Sequence, residues 1–114
     1  MNRLWDINIL GTKYVLIEKP MEDEPKLTDN LGFTDYTTKT IVIDKDIVNN
    51  KDANSMGDLN WVRKKVIRHE IVHAFFIESG MREWCDDENL VDFIAYQLPK
   101  MVAVMKKIAA LDIC

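Results

Sequence analysis

Cysteine, histidine, proline and glycine are all scarce in this chain of 114 residues, which holds 2, 2, 3 and 4 of them. Two cysteines, Cys85 and Cys114, are too few for the disulfide framework that holds small secreted domains together. No stretch approaches the roughly 18 consecutive apolar residues of a membrane helix. Lys106 and Lys107 interrupt the best candidate, so no membrane partner is expected. Residues 1–10 contain Arg3, Asp6 and Asn8 and no continuous apolar core of a secretory leader, which predicts a cytoplasmic protein. Positive charge is short as well. Fifteen Lys and Arg face 19 Asp and Glu, and the net charge of −4 argues against a nucleic-acid partner. A composition of 47% hydrophobic and 30% charged residues is that of an ordinary globular protein. The length has room for one domain over residues 1–114 and none for a separate regulatory domain.

What the chain does have is concentrated in five residues. Both histidines fall in His69-Glu70-Ile71-Val72-His73, four apart around a glutamate. On an α-helix, residues i and i+4 sit one turn apart on one face, so the two imidazoles can reach one metal ion. Glu70 lies about 100° further round the helix, where it can reach a metal-activated water without itself becoming a ligand. Residues 59–79 read as one amphipathic helix, with Val62, Val66, His69, His73 and Phe76 at helical spacing. Asp58 is its expected N-cap and Gly80 the residue just past its end. Ile71, Val72, Ala74, Phe75 and Ile77 are apolar, which predicts burial around much of the girth. The plain alternative is a pair of half-buried histidines beside a surface glutamate.

Catalytic zinc usually takes three protein ligands and keeps a fourth position open. The nearest downstream candidates are Asp86, Asp87, Glu88 and Asp92. Asp86-Asp87-Glu88 reads as the acidic start of a second helix with Asp86 as N-cap, an arrangement that stability alone would favour. Glu88 and Asp92 stand at i and i+4 and share a face. Glu88 is the expected ligand and Asp87 the fallback. Asp92 is expected to accept a hydrogen bond from a ligand imidazole, that of His69. Cys85 is close enough in sequence to bind zinc, but a reduced, inert thiol is the simpler reading.

His69-Glu70-x-x-His73 followed by Glu88-x-x-x-Asp92 resembles the gluzincin metallopeptidases. The short gap between the two motifs is similar to that of the ImmA/IrrE-type metallopeptidases of phages, mobile elements and stress regulators. Lys39-Thr40-Ile41-Val42-Ile43-Asp44 looks like the family's strand before the zinc helix, and residues 93–99 look like its third-ligand helix. The resemblance covers roughly residues 30–100. Asp92 stands where that family often has asparagine, and no helix-turn-helix or sensor domain accompanies the motif. The resemblance implies a zinc-dependent hydrolase of peptide bonds with one zinc per chain and Glu70 as general base. It also implies that a peptide or protein substrate pairs with Ile41, Val42 and Ile43 as an exposed sheet edge. An interior strand, paired on both sides, is the competing reading of that run. Two other functions fit the motif, a catalytically silent zinc module in a regulatory complex and another zinc amide hydrolase. Tyr14, Tyr36 and Tyr96 are the phenols available to stabilise an oxyanion, and none is singled out.

The remaining pattern is α+β: a small, mainly antiparallel sheet packed on the motif helix, then the third-ligand helix. Residues 4–10 and 13–19 read as strands around a Gly11-Thr12 turn, and 20–30 as a loop with Pro20 and Pro25. Residues 32–44 read as a third strand region in which Thr37-Thr38-Lys39 is a turn or a bulge. Residues 49–57 are a polar loop. Arg63, Lys64, Lys65 and Arg68 read as a solvated basic face. The second helix should break or kink near Pro99, and a last helix over 99–111 carries Met101, Val102, Met105, Ile108 and Ala109. That stripe reads as core, with a dimer contact as the alternative, so a monomer or weak homodimer is expected.

Overall fold

The computed structural model describes residues 2–49 and 57–112, so most of the expected polar loop at 49–57 and Cys114 lie outside the described residues. Among the described residues, four strands and three helices make an α+β fold. In chain order they are β1 (Asn2–Ile9), β2 (Thr12–Lys19), β3 (Gly32–Asp35), β4 (Thr40–Asp44), α1 (Leu59–Glu78), α2 (Arg82–Cys85) and α3 (Glu88–Lys107). The sheet order is β1-β2-β4-β3. The β1/β2 and β3/β4 pairs are antiparallel and β2/β4 is parallel, so the sheet is mixed.

Period-two alternation builds two apolar layers. Ile9, Tyr14, Leu16, Ile41 and Ile43 point to the face that α1 covers, against Val62, Val66, Ile67, Ile71 and Ala74. Ile17, Val42 and Leu27 form a smaller cluster on the other face, beside Val15 and Phe33. Leu27 arrives there on a short 3-10 turn, Pro25–Thr28, within the segment read as a loop. Gly32 marks the closest approach of β3 to α1. A Cβ there would stand 3.0 Å from the Val66 side chain and 3.0 Å from the Val42 carbonyl oxygen.

The two halves of β3–β4 resolve the ambiguity in residues 32–44. Tyr36–Lys39 is a turn rather than a bulge, held by Asp35 Oδ1, which accepts from the backbone N–H of Thr37 at 3.0 Å. The Ile41-Val42-Ile43 run is not a sheet edge. It lies in β4, between β2 and β3, paired on both sides and fully buried. Three consecutive apolar residues suit a strand covered on both faces, here by α1 over Ile41 and Ile43 and by Leu27 and Phe33 over Val42. The sheet's two edges are β1 and β3, and β3 is the edge beside Glu70 of α1. Asp44 N–H donates to Leu31 C=O at 2.9 Å, and the antiparallel alternation then turns the backbone groups of Gly32 and Thr34 away from β4.

Several local expectations shift. The first hairpin turns at Leu10-Gly11, both at positive φ (50° and 93°), one residue earlier than Gly11-Thr12. Asp58 does cap α1, accepting from Trp61 N at 3.0 Å. Gly80, at φ 82°, ends it with the paired bonds Gly80 N to Ile77 O and Met81 N to Phe76 O. The helix is less enclosed than its apolar content suggested: only Glu70 and Ala74 are fully buried, and Phe75 is 41% exposed. Asp86 is not an N-cap. It closes the unexpected short helix α2, and Asp87 caps α3 by accepting from Leu90 N at 3.1 Å.

Pro99 does not end the second helix; α3 runs through it to Lys107. A proline deprives the carbonyl four residues earlier of its N–H partner. That carbonyl belongs to Ala95, and Arg68 Nε of α1 donates to it at 2.7 Å. The basic group on α1 is therefore not a solvated face. Arg63 pairs with Glu18 at 2.8 Å, Lys65 pairs with Asp92, Arg68 replaces the missing helical donor, and Lys64 alone is exposed. The stripe expected as core past Pro99 is largely open: Met101 and Ile108 are 45% and 68% exposed. No helix among the described residues is long and apolar enough to cross a membrane.

Candidate metal centre

His69 and His73 face α3 from one side of α1, and the first helical residue of α3 is Glu88. The helical period places the imidazoles one above the other, with ring centroids 4.8 Å apart. Their Nε2 atoms are 3.1 Å apart. Glu88 closes the triangle, with Oε2 3.0 Å from His69 Nε2 and Oε1 3.0 Å from His73 Nε2. The three residues form a group that could hold a metal ion. Donors about 2.0–2.1 Å from a common tetrahedral centre would be separated by about 3.4 Å, close to the spacing seen here.

The other ring nitrogens explain why Nε2 is the presented atom. His69 Nδ1 lies 3.3 Å from Asp92 Oδ1, and His73 Nδ1 lies 3.3 Å from Cys85 Sγ. With Nδ1–H donated outward on both rings, two bare Nε2 lone pairs and a carboxylate converge on one point. Such an arrangement is repulsive unless a cation or shared protons sit between the donors. The donor set therefore fits a divalent ion.

Asp92 stands where the sequence placed it. Its carboxyl is held below the ordinary range first by the hydrogen bond from Lys65 and then by His69, so it stays an anion facing the imidazole. Asp87 is committed to capping α3 and is not in the group. Cys85 plays a part that the sequence did not suggest. Buried on α2, with its thiol pushed up by desolvation, it accepts from His73 Nδ1 and faces the His73 carbonyl at 3.6 Å. Its nearness to Glu88 in sequence was the one available signal.

Glu70 is the buried acid of the site. It is 6% exposed and lines the same cleft as His69, His73 and Glu88, a space of about 410 Å³. Burial pushes its carboxyl above the ordinary range, opposed by a hydrogen bond from Thr34 and by the two histidines. Thr34 Oγ1 is 2.9 Å from Glu70 Oε1 and 3.0 Å from the Glu70 carbonyl oxygen, so one hydroxyl pins the edge strand to the motif helix. No periodicity along the chain marks Thr34, because the contact spans 36 residues.

Of the three phenols, only Tyr36 lines this cleft. Tyr14 is fully buried and donates to Glu78 at 2.7 Å, while Tyr96 packs edge-on against Trp61. Comparison with family models, curated proteins and solved structures finds no match to this chain.

Proposed function

We propose that the protein is a zinc-dependent metallopeptidase of the gluzincin kind, with one zinc per chain on His69, His73 and Glu88. The observation that carries this reading is Glu70. A site that merely held a metal would have no use for a buried carboxylate turned into the cleft beside the ligands. Two imidazoles and one carboxylate with an open side are the donor set of hydrolytic zinc sites, which favours zinc over harder, all-oxygen-seeking ions.

When bound, the ion supplies a Lewis acid that polarises a peptide carbonyl and lets a water ionise near neutral pH. Glu70 takes the proton of the attacking water and returns it to the departing amine. Thr34 keeps the carboxylate aimed, and Asp92 and Cys85 hold the two rings with Nε2 inward. The substrate lies along β3, where Gly32 and Thr34 offer outward backbone groups to an extended peptide. Thr34 would then touch substrate with its backbone and the general base with its side chain.

The deciding experiment is metal analysis of wild type and Glu70→Gln, combined with proteomic identification of cleavage products. Equal zinc in both proteins and cleavage by wild type alone is the expected result. Zinc in both and cleavage by neither would favour a silent zinc-binding regulatory module. Hydrolysis of small amides without any peptide cleavage would favour another zinc amide hydrolase.

A further inference from the structure

The metal cleft is lined by three carboxylates (Glu70, Asp86 and Glu88) and by one guanidinium, that of Arg82. Arg82 begins α2, and Tyr36 follows β3 across the cleft. Arg82 Nη2 donates to the Tyr36 hydroxyl at 2.6 Å, and its guanidinium carbon lies 4.4 Å from the centre of the Tyr36 ring. The group is thus held over the ring and hydrogen-bonded at the rim. Arginine presents five N–H donors in a rigid fork, and this bond uses one.

What sets Arg82 apart is its partner. Arg63, Lys65 and Lys39 each meet a carboxylate within ion-pair distance, and Arg68 is spent on the Ala95 carbonyl. Arg82 has no ion pair among the described residues; its hydrogen-bond partner is the Tyr36 hydroxyl, and the Asp86 carboxylate one turn on acts on it only through space. A residue serving only to tie α2 to β3 would gain more from a carboxylate. Instead the structure leaves a charged fork open to the cleft. A divalent ion together with Arg82 balances the three lining carboxylates, so a further anion entering the cleft meets no net repulsion.

We propose that Arg82, steadied by Tyr36, is a subsite for a carboxylate of the substrate. It selects peptides with an acidic side chain, or a free terminal carboxylate, beside the bond to be cleaved. The inference rests on the peptidase reading above and adds its substrate class. A guanidinium–carboxylate pair is bidentate and charge-assisted, and because Arg82 is exposed its loss costs roughly fivefold in selectivity.

The test uses the zinc-loaded full chain and a proteome-derived peptide library offered with free and with amidated C-termini. Wild type, Arg82→Gln, Arg82→Glu and Tyr36→Phe are compared by sequencing the products. Wild type is expected to enrich Asp and Glu at one position, or sites at a fixed distance from a free C-terminus, by roughly fivefold. Amidation removes the second pattern and leaves the first. Arg82→Gln should abolish the enrichment, Arg82→Glu should shift it toward Lys and Arg, and Tyr36→Phe should keep it because the ring remains. An enrichment that survives in Arg82→Glu, or a wild type indifferent to charge, overturns the subsite. Should Arg82→Glu fail to fold, Arg82→Gln and Tyr36→Phe carry the same comparison. A wild type with stoichiometric zinc and no cleavage removes the peptidase reading instead. The subsite is then read from Trp84 fluorescence, two residues along α2, titrated with N-acetylglutamate and with N-acetylglutamine amide. Tighter binding of the acid that disappears in Arg82→Gln supports it, and equal or absent binding overturns it.

Discussion

Two glutamates on α1, eight residues apart, do opposite work. Glu78, at the last helical residue, faces three donors: Thr12 Oγ1 at 2.7 Å, Tyr14 OH at 2.7 Å and Lys39 Nζ at 2.8 Å. An acid at a helix C-terminus meets the wrong end of the helix dipole, so it needs such partners. They hold its carboxyl down to about 2, Lys39 first, then Thr12 and Tyr14. Glu70 is more deeply buried and has one hydroxyl, and burial pushes its carboxyl up. Burial and donor count together separate the two roles. A fully partnered carboxylate pins the helix to both hairpin turns, whereas an under-partnered one keeps lone pairs for chemistry.

Neutralising each acid should break the comparison most sharply. Glu70→Gln is expected to lose about 10²–10⁴-fold in peptide hydrolysis, the usual range for a general base, with zinc content unchanged. Its stability near neutral pH should hold or rise. A carboxyl whose folded pKa lies above its ordinary value opposes folding once ionised, and an amide does not ionise. A marked fall in melting temperature would place Glu70 with the structural acids.

Glu78→Gln should do the reverse, sparing hydrolysis and removing acid-dependent stability. The folded value of about 2 lies below the ordinary 4.5, so this stabilisation is complete above about 4.5 and is lost as pH falls toward about 2. Acid titrations of unfolding should show that limb in wild type and not in the variant. The same limb in both proteins would assign the acid sensitivity to other groups.

Asp92→Ala tests how much the rings depend on their outer partners. A loss of 10–100-fold in zinc affinity or activity is expected, well short of losing a ligand. Competition with a chelator measures it directly, and an affinity equal to wild type would show that Lys65, His69 and Asp92 are only neighbours.

The last effect is on stability alone and belongs to the Pro99 patch. Arg68→Ala leaves the Ala95 carbonyl without its donor and should destabilise by roughly 1–3 kcal/mol. Pro99→Ala restores a helical N–H to that carbonyl, so Arg68→Ala should cost less in that background. Equal costs in a double-mutant cycle would separate Arg68 from the proline.

The same contrast between local and distant partners decides what could be read along the chain. Asp58, Gly80 and the Glu88/Asp92 pair were legible because caps and i, i+4 faces are consequences of helix geometry within a few residues. Cys85 and Arg68 were not, since a thiol on one helix and a guanidinium on another acquire meaning only when α1, α2 and α3 pack together. Pro99 shows the limit most plainly. Its local rule predicts a break, and a side chain 31 residues earlier supplies the missing donor.

By itself the sequence determined the motif helix and the shared face of His69 and His73, because spacing within a helix sets which side chains share a face, and it indicated the α+β class. Only tertiary structure decided which strands are the edges. Strand order depends on β2 pairing in parallel with β4 across 20 or more intervening residues, and nothing in Ile41-Val42-Ile43 alone says which neighbours it meets. That pairing buries β4, leaves Gly32 and Thr34 facing outward, and brings Thr34 onto Glu70. The histidine pair was written in one turn of helix, and the strand beside it was set by long-range hydrogen bonds between strands.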